Sequence, residues 1–358
     1  MSSSRSSGGV ATLVVILSPL GCARADSVQD RADLQRWSVT EELRIGSLDD
    51  PTQLLTGVGG LAVDREDRFY VAQPQDGVVL VFDAQGPRLR TIGGPGQGPG
   101  EFERLYRIGL LADTLYAVDY TSRRVTFFTL TGELLSSFTI RPPVDPPFSS
   151  APPFLLFADG TAVTTVGVPV GLPGLDLSRI PYLRVDRRGE ILDTMARNSL
   201  ERRFRPMLEG RDGRSVGGGQ QPFFDGELIV ISLDGTRVAE VTRRSAESPG
   251  TATFRVTVTD TQSDTVLSRS YDYTPIGLPE AVVDSAVAES ARARANFFPS
   301  LGAAEAAIRK VTDVPAYFPP IAEAEYAETG HLWLRREDVP FRIKSGSSWM
   351  QRAIRSRS

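Results

Sequence analysis

The chain has 358 residues, with 40 Lys and Arg against 44 Asp and Glu, and its net charge of -4 argues against a basic nucleic-acid binder. One cysteine, Cys22, and one histidine, His331, exclude an internal disulfide, a cysteine–histidine dyad and any metal site built on several histidines. A composition of 41% hydrophobic residues with 33 Gly and 25 Pro is that of a folded, turn-rich globular protein.

The first 25 residues have the layout of a secretory leader: Arg5, an apolar run from Val10 to Leu17, and Ala23-Arg24-Ala25 as a small-x-small cleavage site before Asp26. The run is too short to span a bilayer. A second reading makes Cys22 a lipid attachment site, because Leu20-Gly21-Cys22 resembles the end of a lipobox, although Pro19 stands where an aliphatic residue belongs. Both readings place the protein outside the cytoplasm, as a periplasmic or secreted chain or as an outer-membrane-anchored lipoprotein. Cleavage removes Arg5 and Arg24 and no acid, so the mature chain is more acidic still. Only Lys310 and Lys344 are lysines; a bias this strong reads as base composition and is given no function.

After a linker at 26–36, residues 37–341 carry internal repeats. A turn followed by a short apolar strand recurs at Asp67, Asp113, Asp159, Asp234 and Gly330, and the first three are spaced by 46 residues. A second mark keeps the same phase: Phe82-Asp-Ala-Gln-Gly86 and Phe128-Thr-Leu-Thr-Gly132 are also 46 apart, and Val185 to Gly189 resembles both. Within the first period, strands are expected at 60–64, 68–73, 78–83 and 89–93. A four-stranded unit of this length is the signature of a β-propeller blade, which has exposed edges and too little core to stand alone. The fold class expected is therefore an all-β propeller of four-stranded blades.

The later periods are stretched. Two excursions, Pro/Gly-rich at 168–180 and polar and Gly-rich at 211–221, lengthen the third interval, and a helical insert at about 279–310 lengthens the fourth. In that insert a helix is expected from Pro279 to Phe298, with Val283, Val287, Ala291 and Phe298 on one face, followed by a short helix at 303–310. The helices would cap one face or plug a gap between blades.

Between the first two periods stands Gly93-Gly-Pro-Gly-Gln-Gly-Pro-Gly-Glu-Phe102. Its Gly-x-Gly-Pro-Gly-Glu-Phe core resembles the inter-blade linker of NHL-type propellers, and the whole arrangement is similar to exported six-bladed β-propeller proteins of bacteria. Bottom-up, the glycines permit a tight crossover, and Phe102 can wedge between neighbouring blades. Only five blade marks are visible. The stretch after Asp338 is too short for another blade, and a strand within 37–46 could close the last one. The expectation is a six-bladed protein that is C-terminally incomplete, with a five-bladed ring as the alternative. The basic, irregular tail 342–358, with five positive charges and no acid, could bind an anionic surface.

The chemistry is sparse. His331 alone cannot supply the histidine-held metal of propeller lyases, and Asn198 and Asn296, the only asparagines, do not assemble the Glu/Asn/Asp set that gluconolactonase-like propellers imply. Asp64, Asp83, Asp119 and Asp186, near strand ends, can bind calcium or cap turns, and turn capping is the simpler reading. Phe69, Tyr70, Tyr116, Phe127, Phe128 and Trp333 read as packing residues. Arg104 and Arg107, after the Gly-rich linker, are the candidate ligand-binding residues, at the mouth of an anion-binding channel. The sequence thus points to a non-enzymatic, extracytoplasmic ligand- or protein-binding module, a monomer with no nucleic-acid partner, no catalytic residue and no cofactor beyond a possible calcium ion. Its only route to a membrane is a lipid at Cys22. The alternative is a metal-dependent propeller hydrolase or lyase with a central-channel site.

Overall fold

The computed structural model describes residues 43–47, 54–169, 174–327 and 329–336, together with the backbone of two strands, β1 (Thr12–Ile16) and β2 (Gln35–Ser38). Cys22 and the basic tail 342–358 lie outside the described residues. The chain divides into two compact units, one centred on 42–198 with the turn 233–235, the other on 199–232 and 236–343 with the N-terminal 1–41.

The first unit contains three antiparallel sheets in sequence. β3 (Gly60–Val63), β4 (Phe69–Gln73), β5 (Val78–Phe82) and β6 (Arg88–Gly93) form one meander; β7 (Leu105–Leu111), β8 (Thr114–Asp119), β9 (Arg124–Thr129) and β10 (Leu134–Thr139) form the next. In the third, β11 (Ser149–Ser150) and β12 (Leu155–Leu156) share an edge of β13 (Ala162–Gly167), which continues into β14 (Ile180–Val185) and β15 (Ile191–Asn198). The central strands β4, β5 and β8 are buried over nearly their whole length, which is why they read as unbroken apolar runs. The outer strands β6 and β10 expose most of their residues, Leu89, Leu134 and Leu135 among them.

One core joins the first two sheets: Val79, Val81 and Ile92 from one pack with Leu105, Leu115 and Phe128 from the other, and Phe102 of the linker sits among them, 1% exposed. The linker is shaped for that insertion. Gly93 has φ +81°, and a Cβ there would lie 2.5 Å from the Phe102 ring, so only glycine lets the chain turn against the ring it delivers.

The second unit opens differently. Between β15 and the next full sheet lies only a two-stranded ladder, β16 (Leu208–Glu209) with β17 (Ser215–Val216). A four-stranded meander follows, of β18 (Leu228–Ile231), β19 (Arg237–Thr242), β20 (Ala252–Asp260) and β21 (Thr265–Tyr273). Two helices come next, α1 (Glu280–Arg292) and α2 (Leu301–Val311), and then β22 (Ile321–Tyr326) and β23 (Leu332–Arg336). The single helix expected over 279–298 stops at Arg292 and gives way to a 3-10 turn at Ala295–Phe297, while Ser300 caps α2 by accepting from the Ala303 N–H. Val283, Val287 and Ala291 are buried as the helical spacing requires, and Phe298, outside the helix in extended backbone after the 3-10 turn, joins them in a core that also holds Leu208, Phe223 and Ile308. The helices therefore share their core with the β16–β17 segment.

The last sheet has the order β2-β1-β23-β22, so strands from the two ends of the chain complete it. The N-terminal contribution differs from the expected strand in 37–46. It is β2, ending at Ser38, and β1, drawn from the apolar run of the expected leader, stands between β2 and β23. All five repeat marks fall at the turn between the first two strands of a sheet or on the last hairpin. The fold is an all-β propeller of four-stranded antiparallel sheets, with two helices late in the chain.

Candidate functional site

The turn marks are held by local hydrogen bonds. Asp83 accepts from the Gln85 N–H at 2.9 Å, and Asp186 accepts from the N–H groups of Arg188 and Glu190 at 2.8 and 2.9 Å. Asp260 does the same for Gln262 and Asp264. These carboxylates spend their lone pairs on turn amides.

Asp64 and Asp119 are different, because both are buried, at 5% and 0% exposure. Asp64 accepts from the N–H groups of Glu66 and Arg68, the Arg68 guanidinium at 2.6 Å and the Tyr70 hydroxyl at 3.0 Å. Burial pushes its carboxyl up, but the bonds from Arg68 and Tyr70 together outweigh burial and hold it below the usual carboxylate range. Burial and the bond to Asp64 raise the Tyr70 phenol.

Asp119, the last residue of β8, accepts from Ser122 in the following turn and from the Arg104 backbone N–H at 2.8 Å. Gln73, 46 residues earlier at the end of β4, does the same job. It is fully buried, and its Oε1 accepts from the Thr56 N–H, the Thr56 hydroxyl and the Gly57 N–H. An acceptor at the end of the second strand thus clamps the segment that leads into the first strand of the same sheet. The 46-residue phase links Gln73 to Asp119 in the sequence, with a glutamine in place of the acid.

That clamp sets the position of the two arginines singled out from the sequence. Arg104 lies directly before β7, with its guanidinium 4.6 Å from the centre of the Tyr120 ring, and Arg107 lies 5.9 Å from the Tyr106 ring. Tyr106 and Tyr120 meet edge to face at 5.5 Å and are 37% and 44% exposed. The pairing of β7 with β8 skips Tyr106: Leu105 faces Asp119, and Arg107 faces Val118. This bulge takes Tyr106 out of the strand's alternation and turns it to the surface, a way sheets re-aim side chains at functional sites. Neither arginine is within ion-pair distance of a carboxylate among the described residues. The arrangement offers two aromatic faces beside two cations without fixed counter-ions.

The other candidates are scattered. His331 sits in the β22–β23 turn, with its Nδ1 2.8 Å from the Thr329 hydroxyl. Asn198 ends β15 and is buried, whereas Asn296 is in the 3-10 turn after α1. Among the described residues no three His, Cys, Asp or Glu side chains converge in a way that could hold a metal ion. A shallow pocket near Arg202 and Asp313 is crossed by their own 2.6 Å ion pair and by Gln221, which bonds both Val311 O and Asp313 N–H. No described helix is long and apolar enough to cross a membrane.

A family model described as a six-bladed β-propeller matches residues 51–145, the stretch that holds the first two sheets. No curated protein matches the chain. Among solved structures, the chain is similar to a Bacteroides fragilis NCTC 9343 protein assigned as exported, at 13% identity and TM-score 0.36, covering 82% of this chain and 93% of that one. It is also similar to virginiamycin B lyase from Staphylococcus aureus, at 12% identity and TM-score 0.31, over 63% of this chain and 72% of that one. A DUF4221 family member from Bacteroides vulgatus matches at 10% identity and TM-score 0.30, over 61% and 81%. At these scores nothing about ligand or activity passes from those proteins to this one.

Proposed function

We propose that the protein is a non-enzymatic, extracytoplasmic binding module whose ligand surface is formed by Arg104, Tyr106, Arg107 and Tyr120. The observation that carries this reading is the bulge in β7, which exposes Tyr106 beside Tyr120 and beside two unpaired guanidiniums. Exposed aromatic rings and desolvation-tolerant arginines are the groups that bring binding energy to a surface at small cost in side-chain entropy. The chemistry they suit is a ligand with a flat apolar face next to a carboxylate, such as an acidic sugar or an aromatic acid. In a propeller the first strand of a blade lies toward the central channel, where ligands enter. Export rests on the Val10–Leu17 run and the Ala23-Arg24-Ala25 site.

The test has two arms, both on the purified chain. Isothermal titration with trigalacturonate and with a neutral trisaccharide should show binding of the acidic sugar alone. Thermal melts with calcium and with chelator should coincide; a rise in Tm with calcium would instead favour a metal-dependent hydrolase or lyase.

A further inference from the structure

The polar, Gly-rich excursion at 211–221 has no role in the surface just described. It packs against two arginines of the second unit, the buried Arg205 and the half-buried Arg294. Arg205 is 3% exposed. Its Nη1 donates to Gly218 O at 3.1 Å and to the Ser290 hydroxyl at 3.2 Å, while its Nε and Nη2 are buried with no partner. Arg294 donates from Nε to Gly217 O at 2.8 Å and from Nη1 to Ser290 O at 3.0 Å. Both guanidiniums therefore converge on Ser290, near the end of α1, and on the backbone of the same glycine run.

The glycines are required by that convergence. A Cβ on Gly218 would lie 2.4 Å from Pro206 O, and one on Gly219, which has φ +79°, would lie 2.2 Å from Arg294 Nη2. No residue with a side chain fits between this loop and the cations.

A buried cation, Arg205, beside a half-buried one, Arg294, with no carboxylate within ion-pair distance of either among the described residues, carries an uncompensated desolvation cost. The C-terminal end of α1, whose Ser290 carbonyl accepts from Arg294, offsets part of it. It does not reach the Nε/Nη2 edge of Arg205. That edge presents two parallel N–H groups, the fork that binds two oxygens of one oxyanion side by side. Burial, and next the neighbouring charge of Arg294, pull the Arg205 guanidinium down to about 10, and burial alone lowers Arg294. Both shifts have the sign of cations in search of an anion.

We propose that Arg205 and Arg294, under the Gly217–Gly219 loop, form a binding site for a small tetrahedral oxyanion of the phosphate or sulfate class. Arg205 chelates two oxygens through Nε and Nη2, and Arg294 supplies the second positive charge. The site lies in a different unit from the Arg104 surface and stands or falls independently of it.

The experiment is a set of melts of the full purified chain in phosphate, sulfate, acetate and chloride at matched ionic strength, repeated on Arg205→Met. The wild-type chain should melt about 3 °C higher in phosphate and in sulfate than in chloride, with acetate close to chloride. In Arg205→Met the phosphate increment, measured against the variant's own melt in chloride, should fall to the general salt effect, while that chloride melt drops because Gly218 O and the Ser290 hydroxyl lose their donor. Sulfate and phosphate both also stabilise proteins generally by exclusion from their surface, so the difference between the wild-type and Arg205→Met increments decides the matter. Should Arg205→Met not fold, broadening of the phosphorus resonance of inorganic phosphate by the wild-type chain, reversed by sulfate, supports the site. A wild-type melt indifferent to phosphate, an equal increment in Arg205→Met, or an unbroadened resonance overturns it. The arginines would then serve only to cap the end of α1.

Discussion

The stretch 60–139 and the stretch 199–311 solve the same problem, burial of an apolar face, by different means. The first does it by repetition: two meanders 46 residues apart share one core across a glycine linker, and polar residues are left at turns and strand ends. The second replaces most of a sheet by a two-stranded ladder and two helices. There, irregular loops are tied down by arginines that donate to backbone carbonyls. Arg243, 8% exposed, holds Phe224 O, Gly226 O and Ile321 O at 2.8 to 2.9 Å, and Arg294 and Arg205 hold Gly217 O and Gly218 O. A repeated strand satisfies its own backbone; an irregular loop must borrow donors, and arginine brings five.

The comparison predicts where substitutions hurt. Arg243→Leu should be the most damaging, costing about 3 to 5 kcal/mol, because it strands buried carbonyls of two segments at once; urea unfolding would show it, and a cost under about 1 kcal/mol would mean that the loops hold themselves. In the repetitive region Gly93→Ala should cost about 2 to 3 kcal/mol, from positive φ and from displacement of Phe102. Its midpoint in urea should fall without a change in slope.

Asp64→Asn is expected to cost about 1 to 2 kcal/mol at neutral pH. The sign follows from its lowered carboxyl: in the folded chain Asp64 binds its proton less readily than in the unfolded one. Its contribution is therefore complete above the unfolded value of 3.8 and is lost as pH falls through the still lower folded value. Melts in acid should converge for wild type and Asp64→Asn, and parallel curves would refute the assignment. The smallest effect belongs to Tyr120→Ser, a surface residue, with a stability change within about 0.5 kcal/mol.

Legibility in the sequence followed the same division. The first-sheet strands expected at 60–64, 68–73, 78–83 and 89–93 fall at 60–63, 69–73, 78–82 and 88–93; burial on both faces writes apolar runs in the two central strands, and the turns on either side of them bound the outer two. The placement of Phe102 followed from the glycines around it. What stayed hidden depends on contacts distant in sequence. The β16–β17 ladder is two residues per strand, too short for any period to register. The candidate surface was half visible: Arg104 and Arg107 could be named from their place after the linker, but Tyr106 and Tyr120 join them only because a bulge breaks the alternation of β7. Gln73 was missed since nothing local marks a glutamine as the acceptor for Thr56 and Gly57.

The most direct test of the binding account is titration of trigalacturonate, with chelator present, into wild-type protein and into the Arg104→Gln/Tyr120→Ser double variant. The account predicts metal-independent binding by the wild type and at least a tenfold loss in the variant, with superimposable melts. Equal affinity in the two proteins, or binding that chelator abolishes, would contradict it.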